Sequence, residues 1–461
     1  MNHKKFISLF LLLLIVDPFA VAQGGRKYIR QGNKKYENES YQEAEILYRK
    51  SLDKDQSSFE ANFNLGNALY KQDKYEDATR RFSDLTDEKK NKTDLSKIYH
   101  NLGNSLLKEN RIQESIEAYK NAKYVFQTKN DVFVLTCSGT GGVDCAVSNI
   151  VRSGDKVIIP IQGVFSDRLR IAIERYGGIP IPIEVDWRRG VVTEQVKEAL
   201  DKNPDAKAVA IVYNETSTGV TNRCLEEVGK ICKERDKLFL VDAISILGGD
   251  YLPVDKWNID ICVTGSQKCL ACPPGLALIS VSKRAWEVIK ENKKGTYYFD
   301  LELCKDFLER KMETPFTPVL PLFYALDEAL QIIREEGLEK RIKRHKICAD
   351  AMYSAIEAMK LKLFADKEFR SNTVVAVENP QNISDADIRR IMREKYRVLI
   401  AGGMGKLHGT MFRIGVMGIV TEREILTTIR CLEKTLISLG YDLKSGVGVS
   451  AAMNIFEREP Y

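Results

Sequence analysis

Between Val132 and Val281 the chain alternates short β-branched apolar runs with stretches of helical periodicity, and this alternation limits its fold more than any other feature. The runs are Val132–Cys137, Lys156–Ile161, Ile179–Val185, Ala208–Asn214, Leu238–Asp242, Ile261–Gly265 and Leu276–Val281. Most are apolar along nearly their whole length, the mark of a strand buried on both faces. Strands separated by helices lie mostly parallel, because a parallel neighbour is reached only through a crossover. The sequence therefore predicts an α/β domain with a large, mostly parallel sheet between helical layers. Ligands on such sheets sit at the carboxyl ends of the strands, so the residues just after each run are the ones to read for chemistry.

Three of those positions are unusual. Cys137-Ser-Gly-Thr-Gly-Gly142 lies between a strand and a helix, where small residues leave backbone N–H groups free to cradle a phosphate. Leu238-Phe-Leu-Val-Asp242 is an apolar strand ending in an acid, suited to pairing with a pyridinium nitrogen or to capping a helix. Val263-Thr-Gly-Ser-Gln-Lys268, followed by Pro273-Pro-Gly275, places a lysine just beyond an apolar strand, where desolvation favours Schiff-base chemistry. Each feature alone has an ordinary structural reading. In this order, with the lysine 26 residues after the acid, they provide what pyridoxal phosphate needs: a phosphate anchor, a carboxylate for the ring nitrogen and an amine.

Five motifs then carry a resemblance: Ser138-Gly-Thr140, Asn214-Glu-Thr-Ser-Thr-Gly219, Val241-Asp-Ala-Ile-Ser-Ile-Leu-Gly248, Thr264-Gly-Ser-Gln-Lys268 and Phe412-Arg-Ile-Gly415. Over residues ~125–440 the chain resembles class V aminotransferases of the alanine–glyoxylate and serine–pyruvate group, archaeal type. The resemblance implies a fold type I pyridoxal-phosphate transferase, with a large domain over 124–320 and linking helices plus a small C-terminal α+β domain over 321–445. It implies that Lys268 is the Schiff-base and proton-moving lysine, and that Asp242 faces the ring nitrogen. Ser138, Gly139, Thr140 and Gln267 hold the phosphate on this reading, with Thr317 reaching it across a homodimer. Phe165 stacks on the ring, Thr216 lies near its phenolic oxygen, and Arg413 grips the substrate carboxylate. The implied reaction is transamination from alanine or serine to glyoxylate or pyruvate.

Other chemistries find less support. Desulfurases resembling this fold place His where this chain has Gln267, and Cys269 and Cys272 stand too close to Lys268 to serve as a mobile nucleophile. The same Cys269-Leu-Ala-Cys272 pair has no second Cys/His pair to complete a zinc site, so no metal is expected. None of His3, His100, His345 and His408 falls in a motif. The small domain should hold strands at Asn372–Val377, Val398–Ala401 and Met411–Val416, with helices at Asp385–Glu394 and Thr421–Leu439.

The front of the chain has a different character. Met1–Lys5 carries two lysines, Phe6–Val16 is almost wholly apolar, and Ala20-Val-Ala22 offers small residues, as in a secretory signal peptide over 1–22. Gly32, Gly66 and Gly103 are each followed twelve residues later by Ala44, Ala78 and Ser115, and then by Tyr48, Phe82 and Tyr119. This resembles three tetratricopeptide repeats over 26–122, an all-α array whose concave face would bind a peptide or protein. The net charge of +6 is not gathered into a basic stripe, so no nucleic-acid partner is expected. All ten cysteines lie at or beyond Cys137 in apolar runs, which suits a reducing compartment and leaves localisation divided between export and cytoplasm. Relatives carry an N-terminal arm ahead of the phosphate loop, and repeats stand in its place here. The expectation is an arm-less enzyme half of doubtful activity, with an exported repeat-containing binding protein, or a fusion with an inactive enzyme half, as the alternative.

Overall fold

The computed structural model describes residues 18–86, 98, 101, 102, 105, 121–292, 296–311 and 313–459. Its contacts divide the chain between Gln113 and Glu114 into two units.

In the first unit, helices Pro18–Glu37, Tyr41–Leu52, Phe59–Tyr70 and Tyr75–Asp84 pack successively on one another. Small residues meet aromatics where the helices touch. A Cβ on Gly32 would lie 2.5 Å from the Tyr48 ring, and one on Gly66 would lie 2.7 Å from the Phe82 ring. The core between them is Ile29, Ala44, Tyr48, Leu52, Leu65, Ala78 and Phe82. Amides of different helices also bond: Asn64 Nδ2 donates to Asn33 Oδ1 at 3.0 Å and Asn101 Nδ2 to Asn67 Oδ1 at 2.7 Å. Among the described residues no helix is long and apolar enough to cross a membrane. Most of the expected signal segment (1–17), together with Gly103, Ser115 and Tyr119 of the third expected repeat, lies outside the described residues.

The second unit is built on a seven-stranded sheet of order β1-β9-β8-β7-β4-β2-β3. Its strands are β1 (Asp131–Leu135), β2 (Lys156–Ile161), β3 (Ile179–Glu184), β4 (Ala208–Val212), β7 (Leu238–Asp242), β8 (Ile261–Gly265) and β9 (Ala277–Val281). Only β9 runs antiparallel to its neighbours. Each expected run became a strand of this sheet. Strand β3 differs from the fully buried expectation: it lies at the edge, partly exposed, where Pro180 and Pro182 leave no ladder N–H unmade. A short hairpin, β5 (Asn214–Glu215) with β6 (Val220–Thr221), follows β4.

Apolar side chains from alternate strand positions fill two cores, one on each face. The first takes in Ala122, Val125 and Phe126 from a helical segment at 121–126. Residues 121 and 122, expected to end the repeats, therefore belong to this unit, because their helix buries its apolar face against the sheet's helical layer.

Helices Leu320–Glu336 and Leu338–Ala358 lead to a smaller sheet of order β10-β12-β11, made of β10 (Val374–Glu378), β11 (Ala401–Gly402) and β12 (Met411–Gly415). The strand expected at Val398–Ala401 shrinks to two residues. A Cβ on Gly403 would fall 1.9 Å from the Leu407 carbonyl, so the chain turns tightly there and leaves Leu399 79% exposed. A last helix, Val447–Arg458, was not expected. It buries Gly448, Ala452 and Phe456, one residue per turn, where it packs on helices Leu338–Ala358 and Glu422–Ser438.

Candidate active site

The carboxyl ends of β1, β2, β4, β7 and β8 carry the predicted chemistry. After β1 the chain turns into helix Gly139–Ile150, with Ser138 extended at the N-cap and its side chain making no capping bond. The first-turn N–H groups of such a helix lack intrahelical partners and carry the positive end of its dipole. Gly139 is required for close approach: a Cβ there would lie 2.8 Å from Ile244 Cδ1. Gly265, at the end of β8, has Gly139 Cα 3.6 Å and Gln267 Oε1 3.0 Å from its own missing Cβ. Ser138–Thr140, the residue two after Asp242, and Gln267 thus converge on one spot.

Asp242 ends β7 and is buried, with Oδ1 accepting the Ile244 N–H at 2.9 Å. Burial pushes its carboxyl up to about 7, the Glu215 charge adding to this and Lys268 opposing it. Lys268 is half-buried in the turn after β8, and its ammonium forms no hydrogen bond or ion pair with the described residues. Burial lowers its pKa, and the neighbouring Arg413 charge adds to that. The turn is fixed from beneath. Arg341 Nη2 donates to the Cys269 carbonyl at 2.7 Å, while Ala271 N–H donates to the Lys268 carbonyl at 3.0 Å.

Arg413 enters from β12 of the smaller sheet and is 8% exposed. Its Nε donates to the Gly402 carbonyl at 2.9 Å and its Nη1 to the Thr216 carbonyl at 2.7 Å. No carboxylate pairs with it among the described residues. Burial lowers its pKa, with the Glu215 charge opposing. Five N–H donors less two leaves three, enough for a two-bond fork to a planar anion. Thr216, after β5, donates its hydroxyl to Ser245 Oγ at 2.7 Å, and Asn214 Nδ2 reaches the same oxygen at 2.8 Å. Phe165 starts helix Val164–Arg175 after β2, half-buried, with Arg168 over its ring at 5.0 Å.

Thr317 is not brought to this cluster. It is exposed and borders a cavity with Leu135, Thr136, Tyr298 and Phe316. The contact expected of it involves a second copy of the chain.

Four functional positions were missed. Glu215 and Ser245 stand inside quoted motifs but were given no role. Arg341 and His345 were read as part of a linking helix, although their i,i+4 spacing on one face was a signal. His345 Nδ1 meets the Arg341 carbonyl at 2.8 Å, and its Nε2 accepts the Gly418 N–H at 3.1 Å. Burial holds its pKa down at about 4, so the ring is a neutral structural bridge.

The cluster has unmet polar demands that pyridoxal phosphate would satisfy. An uncapped helix N-terminus suits the phosphate, the second oxygen of a buried carboxylate suits a protonated ring nitrogen, and an unpartnered, desolvated lysine suits the aldehyde. The model of the family "Aminotransferase class-V" matches residues 85–425. The chain belongs to the class V aminotransferases. It is 47% identical over 351 residues to an uncharacterized aminotransferase of Methanocaldococcus jannaschii, an alignment covering 76% of this chain and 90% of that one. It is 34% identical over 361 residues to a serine–glyoxylate aminotransferase of Methylorubrum extorquens, covering 74% and 87%. The crystal structure of ureidoglycine–glyoxylate aminotransferase from Bacillus subtilis superposes with a TM-score of 0.71 at 31% identity, covering 75% and 90%. The cofactor of this class V aminotransferase is pyridoxal 5'-phosphate. The family match opens at residue 85, ahead of Tyr124, where the motif resemblance was placed. The segment before Tyr124 is thus matched family sequence, and the ground for doubting activity, a wholly absent leading segment, is not supported.

Proposed function

We propose that the chain transfers the amino group of alanine or serine to glyoxylate or pyruvate, with Lys268 as the cofactor-bearing lysine. The observation that carries this reading is Arg413: a buried guanidinium with no carboxylate partner among the described residues, whose charge helps to lower the Lys268 pKa. A small α-carboxylate held there places the substrate's α-carbon toward the lysine. When bound, the cofactor supplies an electron sink for charge developing on that carbon.

The chain's own groups do the rest. Arg413 binds and orients the carboxylate, and Lys268 Nζ, displaced by the incoming amine, would take the proton from the substrate's α-carbon and hand it to the cofactor's carbonyl carbon. Asp242 holds the ring-nitrogen proton. Ser138, Gly139, Thr140 and Gln267 anchor the phosphate, with Thr317 of a second copy joining them in a homodimer. Phe165 covers one ring face and Thr216 lies at the ring oxygen. Against desulfurase chemistry, burial pushes the Cys269 thiol up to about 12 and the Cys272 thiol up to about 11, leaving neither a ready nucleophile. For the first unit the proposal is a tetratricopeptide-type stack that binds a peptide or protein, supported by Gly32 and Gly66 meeting Tyr48 and Phe82 alike. Residues 1–22 are proposed as a secretory signal, to be checked by sequencing the mature N-terminus.

The test of the central reading is the purified full chain with pyridoxal phosphate. It should show a visible absorption band, a borohydride-reducible label on Lys268, and transfer from alanine or serine to glyoxylate. Lys268→Ala should lose all three, and a label persisting in that variant sinks the assignment.

A further inference from the structure

We propose that Glu215 is the positioning residue that locks the Phe165 side of the cleft to the Thr216–Arg413 side. The inference rests on the cofactor and carboxylate reading above. Glu215 is 0% exposed, and among the described residues no cation pairs with it. A carboxylate in that setting is costly unless hydrogen bonds fully satisfy it. Its Oε1 accepts the Phe165 N–H at 3.2 Å, the Ser217 N–H at 3.2 Å and the Ser217 hydroxyl at 2.5 Å. Its Oε2 accepts the Ser166 N–H at 2.9 Å, and Ser217 Oγ in turn accepts the Val164 N–H at 3.0 Å. The three N–H groups that open helix Val164–Arg175 therefore all end on Glu215 or on the serine it holds. An anion at that place also matches the positive end of the helix dipole.

The second half of the lock is in the chain itself. Glu215 is flanked by Asn214, which holds Ser245, and by Thr216, whose carbonyl takes the Arg413 Nη1 donor. One side chain thus sets the distance between the aromatic proposed to cover the cofactor and the strap that steers the substrate-gripping guanidinium. The packing leaves no slack. A Cβ on Gly163 would fall 2.3 Å from Cγ and Cδ of Glu215 and 2.5 Å from Ser217 Oγ.

The fold contains a second buried, helix-capping glutamate for comparison, one that also takes an Arg430 Nη1 donor at 3.3 Å. Glu433 is also 0% exposed and caps another helix, accepting the N–H groups of Gly446 at 3.0 Å and Gly448 at 2.8 Å, within the small domain. Glu215→Gln keeps the bulk and the Oε1 bonds but removes the charge and sets an NH2 against the Ser166 N–H. It should weaken pyridoxal-phosphate binding, titrated by the visible band, and raise the KM for amino and keto acid, each by roughly tenfold. Glu433→Gln should lower the melting temperature and leave both site readouts unchanged. Ser217→Ala, a smaller insult, should weaken cofactor binding about threefold and keeps the test open if Glu215→Gln does not fold. Glu215→Gln or Ser217→Ala behaving like Glu433→Gln, less stable but with unchanged cofactor affinity and KM, overturns the proposal. Absence of the band in the wild-type chain would instead overturn the functional reading beneath it.

Discussion

Asp242→Asn should stabilise the cofactor-free protein while crippling the enzyme. Burial raises the Asp242 carboxyl from 3.8 to about 7, so the fold prefers it protonated and resists its ionisation. The sign follows from linkage. For an acid with a raised folded pKa the penalty is absent below the unfolded value, grows as pH rises through it, and saturates above the folded value. The gap of about 3 units, at about 1.36 kcal/mol per unit, sets an upper figure of about 4 kcal/mol above pH ~7. Asparagine keeps the oxygen that accepts the Ile244 N–H and carries no charge, so it escapes the penalty. Urea unfolding of cofactor-free wild type and variant from pH 4 to pH 8 should show curves that coincide near pH 4 and diverge by about 2–4 kcal/mol at pH 8, the variant being more stable. With pyridoxal phosphate bound the order should reverse in activity, since the ring-nitrogen proton loses its partner. A stability difference that is flat with pH, or a variant less stable at pH 8, would refute the reasoning.

Arg413→Lys removes the fork, and a hydrogen bond to a charged group is worth ~1.5–3 kcal/mol, so KM for amino and keto acids should rise roughly 10- to 150-fold; equal loss for substrates lacking a carboxylate would speak against the role. Gly66→Ala gains helix propensity yet drives a Cβ to 2.7 Å from the Phe82 ring. It should lower the stability of the helical unit by about 1–3 kcal/mol in thermal unfolding followed by circular dichroism, and a raised melting temperature would show that the helices can separate freely.

Much of the large domain was legible because the strands of its sheet other than edge strand β3 are buried on two faces and so read as unbroken apolar runs. The site lay just past those runs, where an acid and a lysine have no packing reason to be. What escaped reading did so for local reasons. Leu399 and Ile400 look like strand residues, but the glycines that follow turn the backbone before pairing can extend. Val447–Arg458 presents glycine and alanine to its neighbour, and such small residues make a faint periodic signal. Glu215 has the sequence appearance of a solvated charge, and only three-dimensional closure places backbone N–H groups around it.

The Arg341–Cys269 bond and the His345–Gly418 bond have a mechanical consequence. The turn that carries Lys268 and the turn that leaves the Arg413 strand are riveted to one helix, Leu338–Ala358, on adjacent turns. The lysine turn and the arginine strand therefore share one support, while Gly402 and Thr216 fix the guanidinium itself. Ala401–Gly402 belongs to the same frame, because the Gly402 carbonyl takes the Arg413 Nε donor. Changing the spacing between those two turns would mean rebuilding the helix itself.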